Sequence, residues 1–167
     1  MHRLTTNTKK RKAPVSATDQ IDNAAELAAQ RRLIEMTGVT QNAHYLGKHS
    51  PIVSDQALLY RATRGIDPWT GLVRLNKKGN IANLDSTRFN TYEDMLRSIQ
   101  KAQQAFEAQY PGAVGIPLTG GSVTIDMLRD IGVGFAKDTG VFKSGLTKVR
   151  VLFDEYGQII SAYPLYK

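Results

Sequence analysis

The chain has 167 residues, of which 41% are hydrophobic and 22% are charged, and this balance is typical of a globular domain with a buried core. It contains no cysteine, which excludes disulfides, cysteine-ligated zinc and a cysteine nucleophile. No apolar run approaches the roughly 18 residues of a membrane-spanning helix, and the N-terminus lacks the apolar segment of a signal peptide. Any export signal is expected elsewhere, on a larger parent chain.

The positive charge is concentrated at the N-terminus. The formal net charge is +7, and five of the 22 basic residues precede Ala13 with no acidic residue among them. The rest of the chain contains 17 basic residues and all 15 acidic residues, so its charge is nearly balanced. A basic run of this kind either holds a phosphate backbone or solubilises a leader. We expect residues 1–17 to form a flexible basic arm and residues 18–167 to form a single domain.

Three segments show apolar residues at helical spacing. They are residues 18–38, 54–63 and 91–109. Thr91, followed three residues later by Asp94, makes a capping-box pattern at the start of the third segment. Pro111 and Gly112 follow this segment and end it. These three helices occupy mainly the N-terminal half of the chain.

The C-terminal part is predicted to be rich in strands. Residues 147–153 alternate in polarity, with Thr147 on the same face as Val149, and residues 158–163 return as a second strand after a turn. Helices followed by strands predict an α+β fold in which N-terminal helices pack on a C-terminal antiparallel sheet.

Three further segments are less regular. Residues 122–135 fit either a helix or a strand, and we predict a short helix followed by a strand at about 133–136. A short strand is predicted at 72–75 between turn signals, and residues 137–145 are predicted to be a loop.

One short stretch contains His44 and His49, two of the three histidines, together with Lys48, Arg61 and Arg64. Histidine exchanges a proton near neutral pH, and lysine or arginine stabilises the charge that develops on a phosphate. These groups suffice to cleave a phosphodiester without a metal ion. The alternative interpretation is a polar loop with solvent-exposed histidines.

The same histidines offer an incomplete metal site. The spacing His44-x4-His49 could hold a metal ion, and Asp55 is near in sequence, but no third ligand is clearly placed. The chain has no GxGxxG, Walker or HExxH motif. We therefore predict neither a metal nor a cofactor.

Other polar residues are candidates by position. Ser86 and Arg88 lie ahead of a helix N-terminus, where backbone N–H groups favour an anion, although a turn residue and a surface cation would look the same. Lys143, Thr147 and Tyr163 lie in the strand-rich C-terminal part, where hydroxyls either line a cleft or face solvent.

The only tryptophan, Trp69, follows Pro68 in a turn-rich segment. A tryptophan in such a loop either stacks on a nucleobase or serves as a hydrophobic plug, and the plug is the commoner role.

From Asn42 onward the chain resembles the C-terminal toxin domains of bacterial contact-dependent inhibition and polymorphic toxin systems. Within that group it is most similar to the metal-independent ribonucleases of the barnase–EndoU–colicin–RelE fold. The resemblance rests on the segments AHYLGKH, YRATRGIDPWTG, STRF ahead of an ML-x-x-I-x-x-A helix, IGVGF and ISAYP.

This resemblance implies a toxin that cleaves RNA, tRNA in particular, by attack of a ribose 2′-OH, with one of His44 and His49 as the base and the other as the acid. It also implies a cognate immunity protein, delivery as part of a larger toxin and action in the cytoplasm of the target cell. The predicted catalytic residues are His44, His49, Arg61, Thr147 and Tyr163. The predicted substrate-binding residues are Lys48, Arg64, Ser86, Arg88 and Lys143. The chain departs from the family in having no conspicuous histidine–lysine set in its C-terminal half.

Two other functions stay open. The segments LYRATRG and STRF distantly resemble the arginine and Ser-Thr elements of ADP-ribosyltransferases, which use NAD, but no ExE pair follows them. A non-catalytic nucleic-acid-binding module, acting through the basic arm, is the third interpretation.

Overall fold

The structure is a computed structural model that describes residues 17–167, so that the predicted arm, apart from Ala17, lies outside the described residues. The helices are α1 (Ala17–Gly38), α2 (Tyr45–His49), α3 (Asp55–Arg64) and α4 (Tyr92–Gln109), with a short 3₁₀ turn at Pro111–Ala113. The strands are β1 (Ser86–Phe89), β2 (Gly121–Asp126), β3 (Gly132–Phe135), β4 (Phe142–Leu146), β5 (Lys148–Phe153) and β6 (Ile159–Pro164). The predicted α+β class is confirmed.

The strands form two antiparallel three-stranded sheets rather than one. The first sheet has the order β1-β3-β4 and the second has the order β2-β5-β6. Within the second sheet, Val151 lies opposite Val123 on one side and Ala162 on the other. The alternation predicted for β5 is present, since Val149, Val151 and Phe153 are buried while its alternate residues face outward.

Helix α4 supplies the central packing element. Its N-cap is Thr91, whose hydroxyl accepts a hydrogen bond from the Asp94 backbone N–H at 3.0 Å, as the capping pattern predicts. The buried face of the helix includes Met95, Ile99, Ala102 and Phe106. The Phe106 ring stacks on the Phe153 ring of β5 with centroids 4.0 Å apart. Burying side chains of this size contributes about 1.5–3 kcal/mol each.

The short helix predicted at the start of residues 122–135 is wrong, because β2 forms there, whereas the strand predicted at about 133–136 is confirmed as β3. Val123 and Ile125 alternate with polar residues along β2 and pack against the core. Pairing with β5 buries that alternate set, which a short isolated helix could not do. Leu128, at φ 57°, lies in the tight connection between the two strands.

The strand predicted at 72–75 is also wrong, since Val73 and Leu75 make only isolated bridges. Conversely, β1 lies where no strand was predicted, and β4 lies within a predicted loop. Both strands pair with β3. The approach of β1 depends on Gly134, because a Cβ there would lie 2.6 Å from the Thr87 side chain.

Candidate active site

A cleft of about 790 Å³ opens beside the outward face of β5 and β6. Its walls come from α2, the end of α3, the segment after α3 and the two strands. Five of the ten predicted site residues line it together: His44, Lys48, His49, Arg61 and Tyr163. The tertiary structure therefore brings a residue of the last strand to the histidine segment.

Hydrogen bonds at the two ends of α2 hold the histidine segment against both sheets. The backbone N–H of His44 donates to the Ile160 carbonyl of β6 at 3.1 Å. The His49 side chain, at the other end of α2, donates from Nδ1 to the Thr87 carbonyl of β1 at 2.7 Å. The single helical turn between these two anchors fixes the separation of the two imidazoles.

Both histidines use the same ring nitrogen to bind the backbone. His44 Nδ1 lies 3.1 Å from the Asn42 carbonyl oxygen, and His49 Nδ1 bonds to the carbonyl of Thr87. Because a carbonyl oxygen only accepts, Nδ1 must carry the hydrogen in each ring. In the neutral imidazole this leaves the lone pair on Nε2, the atom that can take a proton from a substrate.

The two imidazoles differ in burial, and burial lowers the pKa of each. His49 is only 6% exposed, and burial lowers its pKa to about 3 despite the hydrogen bond to Thr87. Burial also lowers the pKa of the half-buried His44, against the opposing hydrogen bond to Asn42. Nearby Lys48 adds to both shifts. His49 is therefore neutral at pH 7 and holds no proton on Nε2 to donate.

A carboxylate organises the cations of the cleft. Asp67 Oδ2 lies 2.8 Å from Lys48 Nζ and 3.3 Å from an Arg61 guanidinium nitrogen. Its Oδ1 accepts the backbone N–H groups of Trp69 and Thr70 at 2.9 and 3.2 Å. Burial acts to raise the pKa of Asp67, but the Lys48 and backbone hydrogen bonds outweigh it and bring the pKa to about 2. Asp67 is thus ionised and holds both cations at the wall.

The cleft remains net positive after this pairing. Two carboxylates and three fixed cations line it: Asp67, Asp85, Lys48, Arg61 and Arg74. Because the excess charge is positive, the cleft favours an anionic ligand such as a phosphate. Sequence reasoning missed Asp67 and Arg74, since nothing in the turn-rich segment that contains them signals that it folds back over α2.

Strand β6 contributes two hydroxyls to the cleft. Ser161 and Tyr163 are two residues apart and lie on the same face of the strand, with Ser161 buried and Tyr163 partly exposed. The Tyr163 ring lies against the His49 ring, with centroids 5.3 Å apart and an interplanar angle of 32°. Tyr163 thus places a phenol beside the buried imidazole.

Three of the predicted residues lie away from this cleft. The Arg64 guanidinium stacks over the Tyr60 ring at 4.4 Å. Lys143 Nζ donates to the Tyr166 carbonyl at 3.0 Å. Thr147 lies between β4 and β5 and does not line the cleft. None of these three side chains lines the cleft that contains His44.

The predicted anion site ahead of α4 holds an internal group. The Glu26 carboxylate of α1 accepts the first two backbone N–H groups of α4, at 2.6 and 3.0 Å. Ser86 is fully buried in β1, and Arg88 pairs with Asp55 at 2.9 Å. This N-terminus binds a carboxylate of the same chain, which leaves Ser86 and Arg88 outside any open phosphate site.

Within residues 17–167, no three histidine, aspartate or glutamate side chains lie close enough together to hold a metal ion. Asp55, the residue nearest in sequence to the histidines, is bound to Arg88. None of the helices in this described range has both the length and the apolar character needed to cross a membrane.

Comparisons of the chain with protein families, with curated proteins and with solved structures return no match.

Proposed function

We propose that this protein is a ribonuclease that cleaves RNA without a metal ion, through attack of a ribose 2′-OH on the adjacent phosphorus. One observation carries the proposal: His44 and His49, each bound to a backbone carbonyl through Nδ1, line one net-positive cleft with Lys48, Arg61 and Tyr163. A base, a proton donor and phosphate-binding cations are the groups that this reaction requires.

His44 is assigned as the base. Its Nε2 carries the lone pair, its ring is partly open to solvent, and it is less deeply buried than His49. A base whose pKa stays nearer the working pH transfers a proton more effectively than one with a pKa of about 3. His44 takes the 2′-OH proton as the 2′-oxygen–phosphorus bond forms.

Tyr163 is assigned as the proton donor to the leaving group. As the bond between phosphorus and the 5′-oxygen breaks, the phenol passes its proton to that oxygen. The products are a 2′,3′-cyclic phosphate and a 5′-hydroxyl. Solvent then takes the proton from His44 and returns one to the Tyr163 phenolate. His49, neutral and packed on Tyr163, acts as a positioning residue for this phenol.

Lys48, Arg61 and Arg74 are assigned to the phosphate. Charge builds on the non-bridging oxygens in the transition state, and fixed cations in a partly closed cleft stabilise it. Arg61 is held in place by Asp67, so little rearrangement accompanies binding. This preorganisation supports a catalytic rather than a merely binding role for the cleft.

The target and the biological setting belong to the same proposal and rest on the sequence resemblance. We propose tRNA as the target, a cognate immunity protein that covers the cleft, and delivery into another cell's cytoplasm as part of a larger toxin. An immunity protein would be expected to present carboxylates to Lys48 and Arg74, the cations of this cleft.

The direct test is to incubate the purified protein with total tRNA in EDTA and to analyse the fragments and their ends. Discrete fragments with 2′,3′-cyclic phosphate ends are expected. Intact tRNA in EDTA, with cleavage restored by a divalent metal, would contradict the mechanism. Consumption of NAD with intact RNA would instead support the ADP-ribosyltransferase alternative.

A further inference from the structure

A second groove, of about 560 Å³, lies on the other side of α2 from the cleft. It is bounded by α1, by the start of α3 and by the segment that follows α3. Its lining is mostly apolar, and it includes Trp69, Tyr92 and Ser50. None of the roles assigned above uses these three residues.

Trp69 is an exposed aromatic side chain on a rigid support. It is 59% exposed, so it is not the hydrophobic plug that is the commoner role for a loop tryptophan. One face of its indole lies on Gly47 of α2, where a Cβ would come within 2.5 Å of the ring. The Asp67 carboxylate accepts the Trp69 backbone N–H at 2.9 Å. The ring is therefore held in place while much of its surface stays open.

Ser50 lines the same groove, and its hydroxyl lacks a hydrogen-bond partner among residues 17–167. The residue is only 1% exposed. Buried hydroxyls almost always have a partner, and an unpaired one calls for an explanation. A bound group with a donor or acceptor edge that reaches Ser50 would supply that partner.

We propose that this groove is a nucleobase subsite, in which the base of a nucleotide next to the scissile phosphate stacks on Trp69 and hydrogen-bonds to Ser50. Aromatic rings are the usual platforms for unpaired bases, and an edge contact to a buried polar group adds base preference. This inference deepens the proposed ribonuclease function and rests on it, because that function identifies the bound nucleic acid as RNA.

The groove and the cleft lie on two sides of α2 but share neighbouring residues of the chain. Gly47 supports Trp69 in the groove, while Lys48, the next residue, lines the cleft. The Asp67 carboxylate connects the two sides, because its Oδ2 lies 2.8 Å from Lys48 Nζ and its Oδ1 accepts the Trp69 backbone N–H at 2.9 Å. A phosphate held at Lys48 therefore leaves the neighbouring base within reach of the indole. A protein segment has no equivalent need for a cationic cleft one residue away.

Since Trp69 is the only tryptophan, its emission reports directly on the groove. The probes are a single-stranded 2′-deoxy oligonucleotide, which has no attacking hydroxyl, and an abasic oligonucleotide of the same length and charge. Saturable quenching by the first, and little quenching by the second at matched occupancy, is expected. Equal effects of the two probes, or no quenching by either, would overturn the subsite.

Kinetics with a short cleavable RNA provide the second readout. Trp69→Leu is expected to raise KM by roughly tenfold or more, with the loss concentrated in KM rather than kcat, and Trp69→Phe is expected to restore most of it. Tyr156→Leu is the control, because Tyr156 is 73% exposed and lines neither the groove nor the cleft. Unchanged KM in Trp69→Leu would overturn the proposal and leave the groove to a protein partner.

Ser50→Ala separates a ligand contact from a structural role. If Ser50 binds a base edge, this variant alters the preference among bases while its thermal midpoint stays equal or rises, because the lost hydroxyl had no partner. An unchanged base preference would overturn the Ser50 assignment.

The two proposals fail in different ways. Cleavage that ignores Trp69 would remove the subsite and keep the ribonuclease. Quenching by the deoxy oligonucleotide without any cleavage of RNA would keep the subsite and remove the ribonuclease.

Discussion

The two ends of α2 present histidines that have the same hydrogen bond but opposite surroundings. His44, at the open end, bonds to the carbonyl of Asn42 two residues earlier in the chain. His49, at the buried end, bonds to Thr87 on a strand 38 residues away and packs on Tyr163. Burial therefore distinguishes the two side chains: it lowers the pKa of the deeply buried His49 to about 3, whereas His44 stays partly open to solvent.

The largest effect is expected at the open end. His44→Ala should lower kcat/KM for RNA by roughly 10²–10⁴-fold, because it removes the base from the transition state. Stability should change little, since the Nδ1 hydrogen bond of His44 is local and exposed. Steady-state cleavage and urea unfolding measure the two effects. Near-normal activity in a folded His44→Ala protein would remove the assigned base.

At the buried end the main loss should be stability. His49→Ala leaves the Thr87 carbonyl without its donor and opens a cavity, which should cost about 2–4 kcal/mol in the free energy of unfolding. His49→Asn keeps an N–H donor and should recover part of this loss. Urea unfolding of the two variants gives the comparison. Equal stabilities of wild type and His49→Ala would show that the anchor contributes nothing.

The pH dependence of stability should also distinguish the two ends. His49 titrates near pH 6.5 in the unfolded chain and at about 3 in the native state. Between these values the unfolded state holds more protons, so the free energy of unfolding falls as the pH falls. The slope should be about 1.4 kcal/mol per pH unit below pH 6.5.

His49→Asn should lose most of this slope, and equilibrium unfolding between pH 7 and pH 4 measures it. Asp67 does not confuse the result, because its contribution is lost only as the pH falls from about 4 through about 2. His44 adds a slope of the same sign below pH 6.5, because burial lowers its pKa as well, and this part stays in His49→Asn. An unchanged slope in His49→Asn would place the titrating group elsewhere.

The smallest effect is expected at the N-terminus of α4, which holds the Glu26 carboxylate of the same chain. Glu26→Gln removes a charge that accepts two backbone N–H groups there and should cost about 0.3–1 kcal/mol. Activity of the folded protein should match wild type. Thermal unfolding and tRNA cleavage test both statements, and a large loss of cleavage would mean that this end of α4 takes part in binding RNA.

Much of the fold could be predicted because the relevant signals are local. Thr91 and Asp94 cap α4, and the alternation of Val149, Val151 and Phe153 marks β5. The strands β1 and β4 could not be predicted in this way, because they are short and are defined by pairing with β3. The helix predicted in place of β2 was wrong for a similar reason, because β2 is defined by its pairing with β5.

In the candidate site, too, the features that depend on neighbouring residues could be predicted, and those that depend on long-range contacts could not. His44, Lys48, His49 and Arg61 lie within one short stretch, so their proximity could be inferred from the sequence. The anion site predicted at Ser86 and Arg88 was based on a local rule, namely that a helix N-terminus favours an anion. In the structure the Glu26 carboxylate of α1 already occupies that N-terminus. Only a long-range contact could decide that outcome.

The amino-acid sequence by itself determined the α+β class, the capped helix α4 and the cluster of histidines with basic residues, because each depends on neighbouring residues and on periodicity. The tertiary structure alone decided which of those groups share a cleft with Tyr163, which histidine is buried, and that Trp69 is exposed on Gly47. Burial and long-range hydrogen bonds set these properties, and both depend on parts of the chain that are distant in sequence.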